Sequence, residues 1–121
     1  MENSKTIACV TGAAGMGGRK ITQRIISNGY RVRVLSRKKH FDLSDVDLFN
    51  GGLDDEDTLR RFVIGAHMLF HCAAELSDES IMREVNVSGT ERILKIIREA
   101  NIRYLCYLSS AGVVGRTNEK W

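Results

Sequence analysis

Thr6-Ile7-Ala8-Cys9-Val10-Thr11-Gly12-Ala13-Ala14-Gly15-Met16-Gly17-Gly18 is the stretch on which the fold turns. Thr6 to Val10 is a short, nearly continuous apolar run, the pattern of a parallel strand buried on both faces. Beyond it, Ile21, Ile25 and Ile26 share one helical face and Asn28-Gly29 forms a stop signal, so a helix is expected from Gly15 to Asn28. Between the two, Gly12, Gly15 and Gly18 stand in a G-x-x-G-x-x-G spacing. Gly12 would let the chain turn sharply, Gly15 would let backbone N–H groups approach a diphosphate, and Gly18 would let helix and sheet pack closely. The diphosphate would sit at the positive end of the helix, with Met16 and Gly17 in the loop that cradles it. Four of the eight residues from Thr11 to Gly18 are glycine, a costly density unless something approaches the backbone.

Working outward, apolar runs alternate with amphipathic runs to the end of the chain, which predicts βαβ units. Arg31 to Leu35 or Ser36 reads as the second strand, and Val46 to Phe49 as a short third one before Gly51-Gly52. Asp54-Asp55-Glu56-Asp57 precedes Leu59, Phe62 and Val63, so carboxylates fall in the first turn of a helix, where its dipole favours them. Met68 to Cys72 reads as the fourth strand, ending in Ala73-Ala74. A long helix from about Ser80 to Ala100 would bury Ile81, Val85, Ile93, Ile96, Ile97 and Ala100, with Asn101 as terminator. Tyr104 to Leu108 reads as the fifth strand. With right-handed crossovers, this order gives an α/β fold: a Rossmann-type doubly wound parallel sheet in spatial order 3-2-1-4-5. Its ligand crevice would lie beyond the carboxyl ends of the first and fourth strands, where the order reverses.

Composition agrees with a folded domain and removes other classes. The 121 residues, 43% hydrophobic and 27% charged, suit one globular domain. The longest apolar-rich stretch, Phe62 to Ala74, is short of the roughly 20 residues of a spanning helix and contains His67 and His71. No membrane is therefore expected, and the polar start Met1-Glu2-Asn3-Ser4-Lys5 points to a cytoplasmic protein. A net charge of +3 is too mild to argue for nucleic acid. Cys9, Cys72 and Cys106 lack metal-ligand spacing and read as small buried hydrophobes. His67 and His71, four residues apart on a strand, would stand roughly 13 Å from each other, so no metal site is expected.

A dinucleotide loop that prefers NAD normally has an acidic residue about 20 positions on, to bond the adenosine ribose. Here the second strand ends Leu35-Ser36-Arg37-Lys38-Lys39. A hydroxyl and three cations in that place suit a ribose 2′-phosphate, with Arg37 offering a planar fork, Ser36 a hydrogen bond and Lys38 diffuse charge. NADP is favoured over NAD on this ground.

The chain also resembles the extended short-chain dehydrogenase/reductase family, which includes nucleotide-sugar epimerases, dehydratases and dihydroflavonol-reductase-like enzymes. Four motifs carry the resemblance: Thr11-Gly12-x-x-Gly15-x-x-Gly18, His71-Cys72-Ala73-Ala74, Asn86-Val87-Ser88-Gly89-Thr90, and Tyr107-Leu108-Ser109-Ser110-Ala111-Gly112-Val113-Val114-Gly115. The resemblance implies that Ser110, with Ser109 as backup, bonds the substrate oxygen at the carbon exchanging hydride. It implies that Asn86 organises the helix facing the active site, that Ala73 and Ala74 leave space for the cofactor, and that Leu53 follows the third strand at the adenine. The sequence departs from the family at Gly17, usually a bulky aliphatic, at Gly52, usually an Asp facing adenine, and at Val114, often a Tyr.

Hydride chemistry in that family uses a Tyr-x-x-x-Lys pair, in which lysine lowers the tyrosine pKa. Tyr30, Tyr104 and Tyr107 are followed four positions later by Val34, Leu108 and Ala111, so these 121 residues hold no such pair. The resemblance thus implies an NAD(P)-binding Rossmann domain spanning residues 1–121, cut from a longer protein, without its substrate lobe and inactive alone. Three readings stay open: the dinucleotide-binding part of an epimerase, dehydratase or ketoreductase acting on a small molecule; a non-catalytic NADP-binding sensor; or an interaction domain that uses only the fold.

Overall fold

The computed structural model describes residues 6–108, and Ser109, Ser110 and Val114 lie outside them. The elements are β1 (Ile7–Thr11), α1 (Met16–Ser27), β2 (Arg31–Ser36), β3 (Val46–Asn50), α2 (Glu56–Val63), β4 (Met68–His71), α3 (Glu79–Arg83), a π-helical turn (Glu84–Ser88), α4 (Gly89–Glu99) and β5 (Tyr104–Tyr107). All four strand pairings are parallel and the order is β3-β2-β1-β4-β5, as the alternation of patterns predicts. β1 and β4 each sit one residue from their expected limits; β1 ends on Thr11 and β4 on His71, which are register partners.

Alternate residues of β1 enter different cores, because successive strand side chains point to opposite faces. Ala8 and Val10 pack with Val32, Val34 and Ile25 under α1. Cys9 packs on the other face with Leu69 and with Leu59, Phe62, Ile93 and Ile96 from α2 and α4. Leu59, Phe62 and Ile93 are fully buried, and each such side chain contributes about 1.5–3 kcal/mol. Arg33 supports this core by donating from Nη1 to the carbonyls of Phe62 (2.9 Å) and Ile64 (2.7 Å), at the α2 C-terminus, while its guanidinium lies 5.6 Å from the Phe49 ring centre.

Helix ends follow the sequence signals. Asp55 caps α2 by accepting from Thr58 N at 3.1 Å, and Asn101 leaves the last helix in the left-handed region at φ 60°. Two expectations are corrected. Cys72 and Cys106 are only half-buried, because they lie toward the less covered β4–β5 side, whereas Cys9 is enclosed and burial pushes its thiol up to about 12. The expected uniform helix is instead α3 and α4 joined by the π turn. No residue of α3 is buried, and Ile81, 44% exposed, lines a hollow beside Arg37, Asp54 and Glu84 rather than entering the core with Ile93 and Ile97. Among the described residues no helix is long and apolar enough to cross a membrane, and no cluster of His, Cys, Asp or Glu could hold a metal.

Candidate cofactor site

The first and third glycines of the loop are fixed by packing inside the protein. Gly12 has φ +69°, and a Cβ placed on it would lie 2.6 Å from Ala73 N and from the Cys72 carbonyl carbon. A Cβ on Gly18 would lie 2.0 Å from Gly12 O, so Gly18 brings α1 against the loop itself rather than against the sheet. Gly15 is different: a Cβ there would meet only Gly12 O at 3.4 Å, and its φ of −75° suits any residue. Gly15 is also the N-cap of α1, so that terminus has no capping side chain, and its first turn holds no carboxylate. The α2 terminus, by contrast, has Asp55, Glu56 and Asp57. The backbone N–H groups at the start of α1 are therefore left for an anion from outside the chain. The Met16 side chain is 82% exposed.

Beside the loop runs a cleft of about 280 Å³ at the carboxyl ends of β1, β2 and β3. It brings together Gly12, Ser36, Arg37, Lys38, Leu53 and Ala73 from the residues singled out in the sequence, and adds Leu35 and Val85. Gly15, Met16, Gly17, Gly18, Ala74 and Asn86 do not line it. A larger hollow of about 640 Å³ lies under α1 against Tyr30, Met68, Phe70 and Tyr104, away from the glycine loop and the β2 cations. The smaller cleft has the chemistry for a dinucleotide: small residues, apolar walls and a cationic rim.

On the rim, Ser36 Oγ accepts from Lys38 N at 3.1 Å, which turns the chain at the end of β2 and leaves the hydroxyl hydrogen to donate. Arg37 points across Gly52, with Nη2 at 2.8 Å from Asp54 Oδ1. Asp54 was invisible to sequence patterning because it belongs to the run that looked like a plain helix start.

Behind the loop, Thr11 Oγ1 accepts from Cys72 N and Ala73 N, each at 3.1 Å. Its own hydrogen then goes to His71 Nδ1 at 2.6 Å, and His71 Nε2 donates to Thr90 Oγ1 at 2.8 Å. This network ties β1, β4 and α4 together. Burial pushes the His71 imidazole down to about 4, so the ring is neutral at pH 7. A polar side chain this enclosed between two hydroxyls could have been suspected from the shared parity of Thr11 and His71 on neighbouring strands.

Asn86, in the π turn, accepts from Glu75 N at 2.7 Å and donates to Glu75 O at 2.9 Å. It therefore fixes the segment that leaves β4, which is a positioning role.

With this arrangement in view, a family model described as the NAD dependent epimerase/dehydratase family matches residues 8–120. The chain belongs to that family. The mouse (Mus musculus) sterol-4-alpha-carboxylate 3-dehydrogenase, decarboxylating, is 31% identical over 115 residues, covering 92% of this chain and 32% of the relative. A putative dihydroflavonol 4-reductase from Synechocystis is 33% identical, covering 88% and 33%. The chain thus spans about a third of the length of these relatives. Among solved structures, a short-chain dehydrogenase/reductase superfamily protein from Agrobacterium tumefaciens with bound NAD superposes with a TM-score of 0.81 at 27% identity, covering 90% of this chain and 34% of that one. A UDP-glucose 4-epimerase, at 21% identity and a TM-score of 0.84, covers 94% and 38% and shares the fold.

Proposed function

We propose that this chain is the dinucleotide-binding part of an NAD(P)-dependent oxidoreductase or epimerase that transfers hydride at an oxygen-bearing carbon, and that it favours NADP. The observation that carries the reading is the carboxylate-free start of α1 beside a cleft whose far rim is Ser36, Arg37 and Lys38. Backbone N–H groups at Met16 and Gly17 would hold the diphosphate, Gly15 would keep the approach open, and Leu53, Ala73 and Val85 would supply apolar walls. Arg37, Ser36 and Lys38 would take the 2′-phosphate. When bound, the nicotinamide supplies hydride donation or acceptance.

A catalytic part for the chain rests on Ser110, with Ser109 beside it, as the group bonding the substrate oxygen. A nucleotide sugar is one substrate class the reading allows, and a cytoplasmic location accords with it. Calorimetric titration of the intact protein with NADPH and NADH tests the reading. Tighter binding of NADPH is expected; equal or tighter binding of NADH removes the NADP preference, and no binding of either removes the dinucleotide reading.

A further inference from the structure

We propose that Asp54 is a cofactor-discriminating residue, an inference that rests on the NADP reading: it holds Arg37 across Gly52, so that a ribose 2′-phosphate must displace a carboxylate before it gains the guanidinium. Arg37 Nη2 lies 2.8 Å from Asp54 Oδ1. A Cβ on Gly52 would fall 2.4 Å from Nη2, 2.5 Å from Cζ and 2.7 Å from Nε of Arg37. Three guanidinium atoms at nearly one distance mean that the flat face of the group rests on the Gly52 backbone. Gly52 has no positive φ, unlike Gly12, Gly29 and Gly65, so its backbone conformation does not demand glycine. The space taken by Arg37 does.

Asp54 has no competing duty among the described contacts. Asp55, not Asp54, caps α2, and the ion pair of Asp54 is with Arg37. Arg37 forms part of the wall of the cleft and also of a second hollow of about 280 Å³ that includes Asp54, Glu84 and Arg92. It therefore stands as a partition between them, with room on the cleft side to turn toward a ligand. At rest the carboxylate neutralises this part of the rim. A dinucleotide without the 2′-phosphate can occupy the cleft with the pair intact, whereas NADP has to compete for the same donors. Both side chains are more than half exposed, and exposed ion pairs are weak, so the expected handicap is about threefold to fivefold.

The test is a double-mutant cycle on the intact protein at one fixed salt concentration, reading dissociation constants for NADPH and NADH by calorimetry. Asp54→Asn, with Asp54→Ser as a second variant, is expected to tighten NADPH about threefold to fivefold and to change NADH less than twofold. In an Arg37→Ala background the gain disappears. An unchanged NADPH-to-NADH ratio in the Asp54 variants, while Arg37→Ala still weakens NADPH, overturns the role of Asp54 and leaves the NADP reading standing. The same gain without Arg37 also overturns it, since a general charge effect then explains the result. If Arg37→Ala leaves NADPH affinity unchanged, the 2′-phosphate reading itself fails, and the inference with it.

Discussion

Thr11 and His71 end neighbouring parallel strands, are separated by 60 residues in sequence, and share a 2.6 Å hydrogen bond that sits directly behind the glycine loop. Thr11 Oγ1 also receives two backbone N–H groups from the segment that passes within van der Waals reach of Gly12. Thr11→Val keeps the shape and removes the hydroxyl, leaving the Ala73 amide and His71 Nδ1 without this partner, while the Cys72 amide keeps its bond to the Thr11 carbonyl at 3.1 Å. A loss of about 1–3 kcal/mol is expected from such unsatisfied groups, measured by urea unfolding.

His71 gives the stability a pH dependence of known sign. The buried ring has its pKa lowered from 6.5 to about 4, so the unfolded chain binds the proton more readily than the folded one. The contribution is complete above the unfolded value and is lost as pH falls from about 6.5 toward 4, by up to about 3 kcal/mol in all. Urea midpoints measured at pH 7, 5.5 and 4.5 should fall in that order, and His71→Gln should flatten the slope. The carboxyls of Asp42 and Asp55, held low by Arg19 and by Thr58, titrate below this window.

Gly12 and Gly15 should separate folding from binding. Gly12→Ala meets both a positive φ and the backbone of residues 72 and 73, so a destabilisation of about 2–4 kcal/mol is expected in thermal unfolding. Gly15→Ala meets almost nothing and should leave the melting temperature within about 2 °C of the parent. If the start of α1 receives a diphosphate, the same change should weaken dinucleotide binding at least about tenfold. Unaltered affinity would place the ligand elsewhere.

Asn86→Ala removes both hydrogen bonds to the Glu75 backbone. Two bonds at a half-buried site suggest a loss of about 1–2 kcal/mol. Hydrogen exchange gives the sharper reading: the Glu75 amide should exchange at least about tenfold faster, while amides of β1 stay protected.

The strand order was legible because the strands are short and apolar-rich and, except between β2 and β3, are joined through helices of the right period, and parallel topology leaves few alternatives. The α2 cap was legible for the same local reason, since Asp55 and Thr58 are three residues apart. The π turn was not, because its cause is tertiary: Asn86 reaches Glu75, and Gly89 must pass Leu53, where a Cβ would lie 2.9 Å from Leu53 Cδ1. Nor was the partner of Arg37, which is fixed by the room above Gly52 rather than by any property of the run 37–39. Ser109 and Ser110 fall outside the described residues, so the sequence remains the whole of what speaks for them.

The turn at Glu84–Ser88 works as a phase coupler between two clients of one rod. Downstream, Ile93, Ile96 and Ile97 must face the sheet; within the turn, Asn86 must face the segment leaving β4. A regular helix advances about 100° per residue, so it cannot meet both demands unless the sequence length between them happens to agree. One widened turn absorbs the mismatch. Regular winding over the same length would turn Asn86 away from Glu75, whereas deleting one residue between Asn86 and Gly89 would let an ordinary helix meet both demands, so the local register, more than the side chains it carries, is what this segment has to keep.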